Sequence, residues 1–229
     1  MLGWAFLIAL LVVVWLIAAF SSSSFDKGAA SSPFDKGAAG EQLIYRQLVR
    51  FEKEGGKLLS NIYVPKTNGG TTEIDLLLIH PKGLFVFESK NYSGWIFGNE
   101  GHQNWTQTLP KGWHRNVHKE RFYNPILQNA SHIKYLMHHI EKKIPVWSII
   151  VFSDGCEFKN IMVSSKNVRV IQCCDVAYTI EKICNETQPD FLIETEIISL
   201  YNRLLAYKSV SEEVKEHHAQ KVFEAKQRL

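Results

Sequence analysis

The stretch "EIDLLLIHPKGLFVFESKNYSG", residues 73–94, carries charged side chains inside two otherwise apolar runs. The runs on either side of the tetrapeptide HPKG read as two strands, because Pro and Gly stand where a type I turn favours them. Both runs are nearly continuous, which predicts a hairpin covered on both faces. A charged group in such a strand costs free energy unless something pairs it. Asp75, Glu88 and Lys90 therefore need partners.

The register of this hairpin predicts which of its charged residues meet. A turn centred on Pro81–Lys82 places Asp75 directly opposite Glu88. Side chains two apart on a strand share a face, so Lys90 lies beside Glu88. Glu73 falls opposite Lys90, and we interpret it as a structural partner outside the site. Two carboxylates and an ammonium are expected to converge at one end of the hairpin.

This set of charged groups suits a divalent cation. Neighbouring carboxylates repel, and the pKa of one rises unless a cation sits between them. Mg²⁺ is typically held by one or two carboxylates, with waters and phosphate oxygens completing the shell. A nearby lysine can orient or deprotonate water and stabilise developing negative charge. The combination indicates phosphodiester hydrolysis, and the structural alternative is a buried ion-pair network.

The spaced D…E-x-K of Asp75, Glu88 and Lys90 resembles the core of the restriction-endonuclease-like PD-(D/E)xK nucleases. A longer ordered series is similar to the nuclease-related domain, NERD, over about residues 37–137. That series comprises Gly40–Glu41 at the start of a helix, the hairpin continued through "WIFG", Trp105, and "NPILQ" before a second helix.

The resemblance implies a role for each matching residue. Asp75 and Glu88 would hold Mg²⁺, for which Mn²⁺ can substitute, and Glu41 would close the metal site. Lys90 would assist the attacking water, and Gln128 would be the downstream polar residue that approaches the site. Two alternatives remain open. An acidic residue at a helix N-terminus also stabilises the helix dipole, and a helical glutamine can bond the backbone locally.

The remaining pattern predicts an α/β fold: a restriction-endonuclease-like mixed sheet, flanked by helices, with a core order α-β-β-β-α-β. The expected helices are residues 41–54, 124–143, 174–184 and 190–207, and the further strands are residues 57–65, 146–153 and 168–172. Residues 95–123 are polar and aromatic with little period, so no element is predicted there.

Residues 82–143 contain more basic than acidic side chains, interleaved with aromatic ones. Basic and aromatic side chains together favour a nucleic-acid groove through phosphate contacts and base stacking. The alternative is a solvated loop whose aromatic side chains pack into the core. The aromatic residues concerned are Trp95, Trp105, Trp113, Phe122 and Tyr123.

The N-terminal residues 2–20 contain no charged side chain and are long enough for a transmembrane helix. A cleaved signal peptide is the alternative, but it would have a basic start and a shorter apolar run. Basic residues near this segment all follow it, so the positive-inside rule places the soluble part in the cytoplasm. The expected organisation is an anchor (1–20), a flexible linker with FDKGAA twice (21–39), the NERD-like domain (40–207) and a charged helical tail (208–229).

The sequence thus predicts a membrane-anchored, metal-dependent nuclease that acts on nucleic acid, with DNA as the expected substrate. The four cysteines form no C-x-x-C pair and the nine histidines no zinc motif. The competing hypothesis is a non-catalytic module with the same fold. It would bind nucleic acid or a protein partner and be tethered at the membrane through residues 2–20.

Overall fold

The computed structural model describes residues 33–110 and 117–208. The predicted anchor, most of the linker and nearly all of the tail lie outside these ranges. Contacts within the chain divide it into two units, residues 1–33 and residues 34–229. Within the described residues, no helix is both long and apolar enough to span a membrane.

A five-stranded mixed sheet forms the centre of the fold, in the order β1-β2-β3-β7-β9. The first three strands pair antiparallel, and β3, β7 and β9 pair parallel. The strands are β1 (Lys57–Pro65), β2 (Thr71–His80), β3 (Gly83–Lys90), β7 (Val146–Phe152) and β9 (Val168–Gln172). The predicted α/β fold with a central mixed sheet is confirmed.

Four helices flank this sheet, and their bounds differ from the predicted ones. They are α1 (Pro33–Leu48), α2 (Pro125–Met137), α3 (Val176–Glu186) and α4 (Glu194–Leu205). Helix α1 begins at Pro33, so the second FDKGAA copy is helical and not the flexible linker we expected. Its C-terminal end tightens into a 3-10 turn, Val49–Glu52, so the predicted helix through residue 54 is too long.

Apolar side chains cover both faces of the central sheet, as the continuous apolar strands predicted. On one face, α1 and α3 pack on β2 and β3 through residues that include Leu48, Leu78 and Ile180. On the other face, α2 and α4 pack through residues that include Leu77 and Leu136. The alternation along β2 therefore directs successive leucines to opposite cores.

The predicted register of the β2–β3 hairpin is confirmed. The paired residues run from His80↔Gly83 at the turn to Leu76↔Phe87. Gly83 has φ +134°, and a Cβ there would lie 2.4 Å from the Pro145 carbonyl oxygen, so glycine is required at this turn. The next residues outward are Asp75 and Glu88, so the acidic pair lies where the ladder ends.

A second mixed sheet occupies the stretch for which the sequence predicted no element. Its order is β6-β5-β4-β8, with β4 antiparallel to β5, β5 antiparallel to β6, and β4 parallel to β8. The strands are β4 (Gly94–Asn99), β5 (Asn104–Pro110), β6 (Val117–Tyr123) and β8 (Cys156–Met162). The prediction of an irregular segment at residues 95–123 is therefore wrong.

Strands β3 and β7 lie side by side in the first sheet, and their continuations β4 and β8 lie side by side in the second. Backbone hydrogen bonds tie the two crossings together: Ser153 donates to the Lys90 carbonyl oxygen at 3.0 Å, and Gly94 donates to that of Gly155 at 3.1 Å. The side-chain hydroxyl of Ser153 also donates to the Tyr92 carbonyl oxygen. The backbone of Lys90 is thus held at the junction of the two sheets.

Candidate active site

Four of the five predicted site residues come from the junction of β2, β3 and α2. Asp75 lies on β2, Glu88 and Lys90 on β3, and Gln128 on α2. The Lys90 Nζ is 2.5 Å from Glu88 Oε1 and 3.1 Å from Gln128 Oε1. Asp75 joins them through the backbone, because its Oδ2 accepts a hydrogen bond from the Ser89 amide at 2.8 Å.

Local sequence explains how α2 delivers Gln128 to this site. Asn124 caps the helix by accepting from the Ile126 amide at 2.9 Å, and Pro125 occupies the first turn. The buried Asn129 then fixes the helix on the sheet, donating at 2.9 Å to the Val86 carbonyl oxygen and at 2.9 Å to Ser148 Oγ. The predicted start of this helix at Asn124–Pro125 is confirmed.

His132 is a site residue that the sequence analysis missed. Its Nε2 lies 3.1 Å from Glu88 Oε2, and its Nδ1 lies 2.5 Å from the Thr72 hydroxyl oxygen. An ionised carboxylate only accepts, so Nε2 carries the proton and Nδ1 accepts from Thr72 in the neutral ring. His132 follows Gln128 by four residues and therefore shares its helix face. This four-residue spacing from Gln128 was the signal in the sequence from which His132 could have been predicted.

Glu41 lies on α1 at the acidic side of the same cluster. In the amide orientation that satisfies both contacts, Asn61 donates to Glu41 Oε2 at 3.3 Å and to the Asp75 carbonyl oxygen at 3.1 Å. Asn61 has φ +52°, a conformation that asparagine tolerates better than most residues. Glu73, expected opposite Lys90, accepts from the Tyr63 hydroxyl at 2.8 Å.

Burial and the crowding of negative charges raise the pKa values of two carboxyl groups in the site. Burial, and then the charges of Glu88 and Glu41, raises the pKa of Asp75 well above its ordinary value. Burial also raises the pKa of Glu41, with Glu73 and Glu88 adding to the effect. With Asp75, Glu41 and Glu88 all ionised, the site would hold more negative charge than its single lysine can balance.

Glu88 and Lys90 stabilise each other as an ion pair. Burial acts to raise the pKa of Glu88, but Lys90 and His132 outweigh it and the pKa is lowered. Burial likewise acts to lower the pKa of Lys90, but Glu88 outweighs it and the pKa is raised. Glu88 is therefore a carboxylate and Lys90 an ammonium at neutral pH.

The donor chemistry of this cluster fits a hard divalent cation. Within the described ranges, no group of three or more His, Cys, Asp or Glu side chains has the geometry of a metal site. Mg²⁺ needs only one or two protein carboxylates, however, because waters and substrate oxygens complete its shell. Burial, and after it the negative charges of Glu88 and Glu41, raises the pKa of Asp75, and a cation beside this carboxyl would favour its ionised form. Asp75 and Glu88 are the residues that would hold it.

A mixed sheet with this hairpin, carrying Asp on one strand and E-x-K on the next, defines the PD-(D/E)xK class. A family model for the nuclease-related domain, NERD, matches residues 36–153. An uncharacterized protein of Bacillus anthracis is 32% identical over 179 residues, which cover 78% of this chain and 80% of that protein. The chain belongs to the NERD family of that superfamily.

Proposed function

We propose that this protein is a metal-dependent nuclease that hydrolyses phosphodiester bonds, with DNA as its first expected substrate and Mg²⁺ or Mn²⁺ as its cofactor. The observation that carries the proposal is the bridge from Lys90 to Glu88 and Gln128 beside the partly buried Asp75. Membership of a nuclease-related family supports the same reaction class.

Each side chain has a role that follows from its charge. Asp75 and Glu88 hold the cation, with Glu41 positioned to complete the acidic side of the site. The bound cation supplies Lewis acidity at the scissile phosphate. Lys90 is an ammonium, so it cannot accept a proton; it donates a hydrogen bond and stabilises negative charge on the phosphate. Gln128 orients the Lys90 ammonium.

The decisive experiment uses the full-length chain purified in detergent. Plasmid, single-stranded DNA and RNA are incubated with Mg²⁺, with Mn²⁺ and with a chelator. Lys90→Ala is compared with Lys182→Ala, a control lysine on α3. Metal-dependent cleavage that disappears in the first variant and persists in the second supports the proposal. Cleavage that survives in the first variant, or folded wild-type protein that cuts none of the substrates, contradicts it.

A non-catalytic binding module is the second candidate, and one observation favours it. Both carboxylate oxygens of Glu88 are already engaged, Oε1 by Lys90 and Oε2 by His132. Other lone pairs of the carboxylate stay free, but while these bonds persist the Lys90 ammonium beside Oε1 would repel a metal cation. Thermal denaturation with and without Mg²⁺ separates the candidates, because a ligand that binds only the folded state raises its stability. Stability that does not change with Mg²⁺ favours the binding module.

We also propose that residues 2–20 anchor the protein in a membrane, with the NERD domain in the cytoplasm. The support is the uncharged apolar run and the basic residues that follow it. Carbonate extraction of membranes tests the anchor, and protease protection in spheroplasts tests the orientation. Release of the full-length chain into the supernatant contradicts the anchor.

A further inference from the structure

The second sheet has an outer face that combines aromatic and basic side chains. Along β4, the residues Trp95 and Phe97 are 38% and 36% exposed, whereas Ile96 between them is buried. Along β6, the buried Phe122 separates two exposed residues in the same way. We call the side that carries Trp95 and Phe97 the outer face of the second sheet.

Cross-strand pairing arranges the outer face in two rows. Directly paired residues on antiparallel strands point to the same side of a sheet. One row runs from Trp95 through the buried Thr108 to Lys119, and the other from Phe97 through Thr106 to Arg121. Each row begins with an aromatic ring on β4 and ends with a cation on β6.

The charges around these rows favour a polyanionic partner. Lys119 and Arg121 are exposed, and in the part of the chain that the structure describes they form no ion pair. On the other flank, the Lys159 Nζ lies 5.1 Å from the Trp95 ring centroid and forms an ion pair with Glu157. The two unpaired cations on β6 are free to contact phosphates.

We propose that the outer face of the second sheet binds single-stranded nucleic acid. Bases would stack on Trp95 and Phe97, and Lys119 and Arg121 would contact the phosphates. Alternate residues of a strand lie about 6.6 Å apart, close to twice the 3.4 Å rise per nucleotide, so the two rings are spaced for bases with one nucleotide between them. In a base-paired duplex the faces of the bases are covered by the neighbouring base pairs and cannot stack on Trp95 or Phe97. The expected ligand is therefore an unpaired strand.

The position of the outer face relative to the candidate site is limited by the chain itself. Trp95 lies five positions after Lys90 in the chain, so their Cα atoms are at most about 18 Å apart. That distance corresponds to about five nucleotides of a stacked strand. A strand held on the outer face could therefore extend to Lys90. Cleavage of the strand at Lys90 rests on the proposed nuclease function, whereas binding of the strand to the outer face does not.

The test measures binding without cleavage. Fluorescence anisotropy of a labelled oligothymidylate is recorded with the full-length chain in chelator. A Trp95→Ala/Phe97→Ala double variant and a Lys119→Ala/Arg121→Ala double variant are compared with Tyr178→Ala and Lys182→Ala. The control residue Tyr178 is 67% exposed on α3. We expect each double variant to lose at least tenfold in affinity, and the controls to match the wild type.

Two further measurements sharpen this test. The Lys119→Ala/Arg121→Ala variant should reduce the slope of log K against log salt by about 0.7 for each lost phosphate contact. Photocrosslinking of an iodouracil oligonucleotide to the wild-type chain should label the peptide that contains Trp95 and Phe97, and it requires no variant to fold. Unchanged affinity in both double variants, tighter binding to the matching duplex, or crosslinks confined to other segments would overturn the proposal.

Cleavage assays separate this proposal from the nuclease proposal. If the wild-type chain binds the oligonucleotide through the outer face but cuts nothing with metal, the outer face stands and the nuclease proposal fails. If the chain cuts with metal and the double variants bind and cut as the wild type does, the nuclease proposal stands and the outer face fails.

Discussion

The Nζ of Lys90 lies 2.5 Å from Oε1 of Glu88, two positions earlier on the same strand. The Glu88 side chain is only 3% exposed, so this contact removes a charge pair from water. The Lys90 ammonium therefore supplies the positive charge that balances the buried Glu88 carboxylate. If Glu88 holds a metal ion as we propose, this ion pair has to rearrange when the metal binds.

Replacing Lys90 should affect stability as well as cleavage. Lys90→Ala leaves a buried carboxylate that still accepts a hydrogen bond from His132 but has lost its cation, and we expect the free energy of unfolding in chelator to fall by about 3 kcal/mol. The Glu88→Gln/Lys90→Ala double variant should recover part of this loss, because it removes the uncompensated charge. Urea denaturation measures both effects. Equal stability of Lys90→Ala and the wild type would show that the Glu88–Lys90 ion pair contributes nothing to the free energy of unfolding.

Metal affinity should increase with pH. The pKa of Asp75 is raised well above its ordinary value of 3.8, so the carboxyl holds a proton at a pH where a free aspartate would not. A cation must displace this proton, so affinity falls about tenfold for each pH unit below the raised pKa. By the same linkage, the metal-free protein loses stability as pH rises from the ordinary value through the raised one. Calorimetry in buffers of different ionisation enthalpy measures the proton release, which should be smaller in Asp75→Asn than in the wild type.

His132 should position Glu88 and not act on the substrate itself. His132→Phe removes the donor to Glu88 Oε2 and the partner of the buried Thr72 hydroxyl, so we expect a loss of about 1–3 kcal/mol in unfolding free energy. His132→Gln keeps a donor near Glu88 and should retain more stability and a larger share of the cleavage rate. A glutamine variant no better than the phenylalanine variant in both assays would argue against this role.

Asn124 should be one of the most sensitive polar positions in the domain. Besides capping α2, its side-chain amide donates to three carbonyl oxygens, those of Asn99, Glu100 and His102. Asn124→Ala loses the cap and all three of these donated bonds, although the Asn99 carbonyl oxygen still accepts from Trp105 Nε1 and from the His102 amide. We expect a cost of roughly 2–4 kcal/mol. Asn124→Ser restores only the cap, so its stability in urea denaturation should lie between the wild type and the alanine variant. Identical stability of the two variants would mean that the cap is worth nothing here.

Gly98 and Gly101 form a matched pair for testing the close packing of Trp105. A Cβ at Gly98 would lie 2.1 Å from a Trp105 ring atom, whereas at Gly101 the nearest atom is 3.5 Å away. Gly98→Ala should therefore lower the free energy of unfolding by about 1–3 kcal/mol, since the ring must move within a packed core. Gly101→Ala should stay within about 0.5 kcal/mol of the wild type. Thermal denaturation of the two variants provides the comparison.

The central hairpin and its charged end were predictable because local chemistry determines them. The Pro-Gly turn fixes the register, and alternation along each strand then fixes which side chains meet. The start of α2 was predictable for the same reason, since Asn124 and Pro125 are adjacent in sequence. The contacts of His132 were not predictable in this way, because its partners Glu88 and Thr72 lie 44 and 60 residues away in the chain.

The second sheet escaped prediction because its faces do not separate cleanly into apolar and polar. Trp95 and Phe97 point outward although they are apolar, and Gln107 points inward, where it donates to the Ser93 carbonyl oxygen at 2.7 Å. Binary alternation is therefore obscured in β4 and β5. The helix α1 was predicted too short because its N-terminal half consists of a repeat that resembles a linker in composition.

The paired crossing of β3 and β7 into the second sheet has a mechanical consequence. A single connecting segment would allow one sheet to rotate relative to the other. Two adjacent connections joined by hydrogen bonds resist that rotation. A tilt of the second sheet relative to the first would stretch the hydrogen bond from the Ser153 amide to the Lys90 carbonyl oxygen. A load applied to the second sheet is therefore transmitted to the backbone that carries the lysine, and slow amide exchange at Ser153 would be its signature.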